Sequence, residues 1–275
     1  MRRRLLAAGV VVASAAAIGA AELKPATVAG FERYEKATEA AIARDVSASG
    51  EFLRIRRNAD ADRLREIDQQ LQRGEVVIDR LQVTNEGKRI EIPSGLVHHW
   101  IGAVFIPGAS VDAAVALLQD YDTHATLFRP AVVQAKTLER NGDRFRVFLR
   151  FYMKKVIAVT VNTESTAEFV RHGPDRLSSQ IRSTRVAEVE EPGTPDEKEK
   201  PVGRDGGFLW RLNTYWRFLQ RDGGTYVECE SITLTRGIPA GLGWIIKPFV
   251  TGIPRESLTF TLEGTRRALL ARAQP

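Results

Sequence analysis

The sequence has almost nothing from which to build a covalent or metal framework. One cysteine in 275 residues excludes an internal disulfide and a cysteine-rich zinc site. Its four histidines are not clustered like ligands, and no metal or cofactor is expected. Collagen-like repeats, wholesale disorder and a polytopic membrane chain do not fit 43% hydrophobic and 27% charged residues. Signatures of common catalysis are missing too: there is no Gly-x-Ser-x-Gly elbow, no metalloprotease helix and no Cys–His pairing. The glycines of 237–243 do not match a dinucleotide fingerprint.

Positive charge is the one apparent excess, and half of it sits at one end. Forty Lys and Arg against 34 Asp and Glu give +6, but Arg2, Arg3 and Arg4 head an apolar, small-residue run over 5–21. A basic head, an apolar middle and small residues at Gly19 and Ala21 are the three parts of a secretory signal peptide. Cleavage is expected after Ala21, with Ala20 the neighbouring choice. The alternative is an uncleaved anchor, for which the run is marginal against the ~20 residues that span a bilayer. Without residues 1–21 the balance is 37 against 34, or +3, which gives no argument for nucleic acid as a partner. The chain is therefore read as exported, periplasmic or extracellular, with Cys229 a buried small hydrophobe.

Three sections are expected: a signal peptide over 1–21, a helical arm with short strands over 22–94, and one ligand-binding domain over 95–275. In the arm, Phe31, Tyr34, Ala41 and Ile42 fall near helical spacing, and Leu64, Ile67 and Leu71 form a second, narrow stripe with Asp60 and Asp62 placed to cap. Short strands are expected over 76–81 and 89–92. From 95 onward the pattern is long strands, at 96–106, 132–139, 144–154, 157–171, 177–189, 208–221 and 226–236, most joined by tight turns. A helix over 110–118 with Ser110 as N-cap interrupts them. A final helix over 254–272 carries Leu258, Leu262, Thr265 and Leu269 on one stripe. The fold class is α+β: a curved antiparallel sheet wrapped around a long C-terminal helix, with an N-terminal helical extension.

Alternation assigns the faces. A two-residue turn at Gly223-Gly224 would pair Asp222 with Thr225, Arg217 with Glu230 and Trp216 with Ser231. One face then holds Leu212, Thr214, Trp216, Phe218, Val227, Cys229, Ser231 and Thr233. The other holds Arg211, Tyr215, Arg217, Glu228 and Glu230, read as a structural pairing of charges outside the interior. Likewise Phe145, Val147, Leu149, Phe151 and Met153 alternate with Arg144, Arg146, Arg150 and Lys154, while Phe148 and Tyr152 share the charged side.

The stretch from Gly95 to Ala273 resembles the START-like helix-grip superfamily, the group with polyketide cyclase-like and coenzyme Q-binding proteins, in an exported bacterial branch. The resemblance rests on the runs FLWRLNTYWR over 208–217, YVECESI over 226–232, IPAGLGW over 238–244 and IPRESL over 253–258. It implies a hydrophobic tunnel between sheet and helix but no single chemistry.

The expected cavity lining is Val147, Leu149, Phe151, Leu212, Trp216, Phe218, Leu258 and Leu262, with Trp244 and Phe249 at the mouth, in a segment that also reads as a flap or membrane-touching patch. Function is read as an exported binder or carrier of an apolar small molecule or lipid. The alternative is a cyclase- or hydrolase-like enzyme acting on an apolar substrate there, which needs a polar pair inside: Arg150, Tyr215 or His99 meeting Glu230. Adjacent His98 and His99 face opposite sides of a strand and cannot share a metal. Asp120, Asp122 and His124 read as a capped loop, and 190–204 as a solvated loop.

Overall fold

The computed structural model describes residues 20–47, 50–57, 59–155, 157–238, 244 and 252–273. The arm consists of α1 (Pro25–Ser47), α2 (Arg54–Arg57) and α3 (Ala61–Gln72), preceded by the two-residue strand β1 (Ala21–Glu22). Asp60 caps α3 by accepting from the Arg63 N–H at 2.8 Å, worth about 1 kcal/mol. Asp62 instead pairs with Arg65 on the surface. Short strands β2 (Val77–Arg80), β3 (Thr84–Asn85) and β4 (Lys88–Arg89) lead to the long strand β5 (Gly95–Pro107). Helix α4 (Val111–Gln119), capped by Ser110, and the short α5 (His124–Leu127) follow.

The remaining strands are β6 (Val132–Asn141), β7 (Arg144–Lys154), β8 (Ala158–Arg171), β9 (Arg176–Glu190), the short β10 (Lys198–Glu199) and β11 (Arg204–Asp205), β12 (Arg211–Arg221) and β13 (Gly224–Arg236). Helix α6 (Ile253–Ala273) closes the chain. The main sheet is antiparallel, in the order β2-β5-β13-β12-β9-β8-β7-β6, with β10 beside β9. It is curved and stays open, since β2 and β6 are edges.

The inner face of this sheet packs on α6. Leu258, Leu262, Thr265 and Leu269 are buried, as their spacing predicts. Each leucine removed from water contributes roughly 1.5–3 kcal/mol. Gly102 lets the helix come close: a Cβ there would stand 2.8 Å from Leu262 Cδ1 and 2.7 Å from Ile78 Cδ1.

The β12–β13 hairpin corrects the expected register. The turn residues are Asp222 and Gly223, with φ of +57° and +73°, so Arg221 pairs with Gly224, Trp216 with Cys229 and Arg217 with Glu228. Asp-Gly suits a turn with two left-handed residues and matches strand twist better than Gly-Gly one position on. Each cross-strand partner thus shifts by two residues. Because side chains alternate with period two, both face assignments survive.

The outer face departs from expectation more deeply. Its charged residues are not in solvent but under the arm: Arg217 is 1% exposed, and Glu228 and Glu230 are 0% exposed. Glu228 accepts from the backbone N–H groups of Arg54 (3.1 Å) and Ile55 (2.8 Å) and from the Arg217 guanidinium. Glu230 accepts from His99 Nε2 at 2.7 Å and lies 3.6 Å from Arg54 Nε and 3.8 Å from Arg217 Nη1. A carboxylate only accepts, so His99 carries its proton on Nε2. Tyr34, whose hydroxyl already accepts from the Val83 N–H, then donates to His99 Nδ1 at 2.9 Å. Around these groups pack Phe52, Leu53, Ile67 and Leu71 from the arm against Ile101, Ala103 and Phe105 of β5.

Removing a buried counter-charge strands its partners without water, which typically costs about 3–5 kcal/mol. R217M should therefore destabilise the protein by about that much in urea unfolding. A loss below about 1 kcal/mol would show that the arm does not seal these groups from solvent.

Candidate functional site

Between the sheet and the first turns of α6 lies a cavity of about 220 Å³. Its roof is Ile253, Pro254, Ser257, Leu258 and Thr261 of α6. Strand β7 contributes Val147, Leu149, Phe151 and Met153, and β12 contributes Leu212, Thr214 and Trp216. The alternation of these strands is what presents the residues together. Tyr152, expected on the charged side, reaches the wall as well. Phe218 and Leu262 are not among the lining residues; both are 0% exposed in the packed core. Trp244 is 69% exposed, whereas Phe249 lies outside the described residues.

Much of the wall is hydroxyl-bearing. Thr163 and Ser165 come from β8, Ser179 from β9, and Ser231, Thr233 and Thr235 from β13. Thr163 Oγ1 donates to the Leu149 carbonyl at 3.0 Å, so part of this polarity is spent on the sheet itself. Among the described residues no Asp, Glu, Lys or Arg lines the cavity. Sequence reasoning placed Thr214, Ser231 and Thr233 on the inner face but drew no consequence from their size.

One end was missed altogether. After α4 the chain turns through a 3₁₀ turn into α5, which brings Tyr121, His124 and Phe128 onto the wall. Tyr121 and His124 meet at a tilt of 47° with ring centroids 4.9 Å apart, and Phe128 meets the histidine edge-on at 5.1 Å. Burial keeps the Tyr121 hydroxyl protonated well above its ordinary range. Burial likewise lowers His124 to about 4, although the Leu118 carbonyl, hydrogen-bonded to the ring, works in the opposite direction. Asp120 and Asp122 beside them act as loop residues: Asp122 accepts from the Thr137 N–H at 2.9 Å.

The polar pairs considered for acid–base chemistry lie elsewhere. His99 does meet Glu230, but on the outer face beneath the arm. There the shift of Glu230 balances burial, which raises it, against the His99 hydrogen bond and two guanidinium charges; its carboxyl is held below the usual range. Arg150 is engaged by Asn162 and Glu197, both at 2.7 Å, and the Tyr215 hydroxyl donates to Glu39 at 3.0 Å. His98, on the inner face of β5, pairs with Thr235 at 3.1 Å and is not a lining residue. Among the described residues no group of three His, Cys, Asp or Glu is placed to hold a metal. The segment 190–204 is tied back to β9 through β10, by Glu199–Arg185 and Lys200–Glu188 pairs.

A curved antiparallel sheet gripping one C-terminal helix, with a cavity between them, is the START-like helix-grip arrangement. This chain has that fold. No family model and no curated protein sequence matches it. Among solved structures, the Zhui aromatase/cyclase from a Streptomyces species is similar at 13% identity, over 65% of this chain and 97% of its own, with a TM-score of 0.48. The STAR-related lipid transfer protein from Xanthomonas axonopodis is similar at 14% identity, over 72% and 99%, with a TM-score of 0.43. The human StarD13 lipid transfer and protein localization domain stands at 7%, over 77% and 98%, with 0.44.

Two of the three buried histidines, His98 and His124, make the pH response testable. Burial lowers His98 to about 4, as it does His124, against an ordinary 6.5. Below pH 6.5 the unfolded chain takes up protons that the folded chain refuses until about pH 4, so each histidine subtracts stability across that window. Asp205 works oppositely, since burial raises it to about 6 and the folded chain binds its proton first. NMR should find both imidazoles unprotonated at pH 5. H124F should lose less stability than the unsubstituted protein between pH 6.5 and 4, by on the order of 3 kcal/mol. Protonation of His124 near 6.5 would mean that water reaches this end of the cavity freely.

Proposed function

We propose that this chain is an exported binder or carrier of a hydrophobic small molecule or lipid, held between the sheet and α6. The observation that carries the reading is a largely apolar cavity with no ionised side chain among the described residues that line it, in a domain whose opposite face is densely ionic. At about 220 Å³ it is somewhat smaller than common ligand pockets of ~300–1,000 Å³, which favours a slender or compact guest. Val147, Leu149, Phe151, Leu212, Trp216 and Leu258 are the proposed contacts. Apolar surface taken from water there is worth roughly 25 cal/mol per Å². The exposed indole of Trp244, nine residues before α6 begins, supports an entrance that touches a membrane transiently as the guest is exchanged. Export is supported by Arg2, Arg3 and Arg4 and the apolar run over 5–21.

Native mass spectrometry of protein purified from its own host tests the binder reading. An apolar molecule bound at one per chain is expected, and L149W, which projects an indole into the cavity, should lose it while keeping the fold. An empty cavity in both proteins would overturn the reading. Sequencing the mature N-terminus tests export: a start at residue 21 or 22 is expected, and a chain that retains Met1 would favour an anchor.

A further inference from the structure

Besides its scattered hydroxyls, the described wall of the cavity carries an adjacent polar pair at its α4–α5 end. Tyr121 is 2% and His124 6% exposed, both line the cavity, and neither the Tyr121 hydroxyl nor His124 Nε2 has a hydrogen-bond partner among the described residues. Their chemistry is complementary. The histidine ring is hydrogen-bonded by the Leu118 carbonyl, which takes an N–H, so the proton sits on Nδ1 and the unpartnered Nε2 of the neutral ring is an acceptor. The Tyr121 hydroxyl is a donor beside it, the rings being 4.9 Å apart. An unpaired buried donor and acceptor are each costly, whereas phenylalanine would satisfy the packing against Phe128 and Phe145 at both positions.

From this we infer that the cavity selects an uncharged guest bearing a hydroxyl group, seated against Tyr121 and His124. The inference rests on the binder reading above and adds the guest's head-group chemistry. A hydroxyl answers both partners, because it accepts from Tyr121 and donates to His124 Nε2. An ether or ketone oxygen only accepts and leaves Nε2 unpaired. A carboxylate cannot donate to Nε2, and among the described residues no cation lines the cavity to replace its hydration. Ser179 Oγ and Thr233 Oγ1, also on the wall and without partners, add neutral hydrogen-bonding capacity and no charge.

Three probes with one apolar chain separate these possibilities: dodecan-1-ol, its isomer 1-methoxyundecane, and dodecanoate at pH 8. The alcohol should bind best, about three- to tenfold tighter than the ether, as expected for one hydrogen bond. Dodecanoate should be weaker than the alcohol by roughly a hundredfold or more. H124F should erase the preference for alcohol over ether, and Y121F should weaken both. Equal binding of alcohol and ether, or tightest binding of dodecanoate, overturns the inference while leaving the binder reading intact. Failure of all three to bind overturns both. The comparison of probes on the unsubstituted protein decides the matter even if a variant does not fold.

Discussion

The guanidinium of Arg217, held between Glu228 and Glu230 with no access to water, is the constraint to which the rest of the structure answers. Each ion taken from water carries a penalty of several kcal/mol, which is offset only where hydrogen bonds and counter-charges are complete. Strands β12 and β13 cannot complete them alone. Two of the donors to Glu228 are backbone N–H groups of Arg54 and Ile55, and Glu230 needs His99, itself oriented by Tyr34. The arm is therefore part of the sheet's electrostatics rather than an appendage. Its narrow apolar stripe, Ile67 and Leu71 with Phe52 and Leu53, suffices because it only has to seal what the ion pairs already hold.

Alternation carries the consequence across the sheet. Arg217, Glu228 and Glu230 point outward, so Trp216, Cys229 and Ser231 point inward, and these two strands bring no charge to the cavity wall. Side-chain size then decides where the interior is solid. Toward the Asp222–Gly223 turn, Phe218 and Val227 share the buried core with Phe145, and none of the three lines the cavity. Farther along the same strands the inner positions are Thr214, Ser231 and Thr233, facing Thr163, Ser165 and Ser179. Residues this small cannot span the gap to α6. Phe218 and Leu262 lie in the solid part for the same reason that Leu212 and Leu258 lie on the wall.

How much of this was legible in the sequence depends on period. Strands, the amphipathic C-terminal helix and the inner face follow from repeats of two and of three to four, and parity absorbed the error in the hairpin turn. Burial of the outer face did not follow, because Arg217, Glu228 and Glu230 look like solvated residues until two strands and the arm converge on them from more than 170 positions away in sequence. Tyr121 was passed over, and His124 was read only as part of a capped loop, for a different reason. They sit in a 3₁₀ turn and a four-residue helix, elements too short for any periodicity, and only the docking of that corner on α6 and β6 brings them to the cavity.

The cavity also bears on stability. Volume that a core does not fill with side chain forgoes roughly 24 cal/mol per Å³, a penalty of about 5 kcal/mol for 220 Å³. That is comparable with the whole folding margin of an ordinary domain, roughly 5–15 kcal/mol. A chain under selection for packing alone would exchange Ser231 for something larger, since its side chain takes no part in the outer-face network, whereas Thr214 is held by accepting from the Trp216 indole N–H at 3.2 Å. The cavity is tolerated where stability is supplied from the other side of the sheet, by the apolar residues of the arm packed on β5. A guest that fills the cavity returns part of the penalty, because whatever binds only the folded chain stabilises it in proportion to its occupancy. The arm-packed outer face and the hollow inner one are thus two halves of one arrangement, in which the first lets the second stay open.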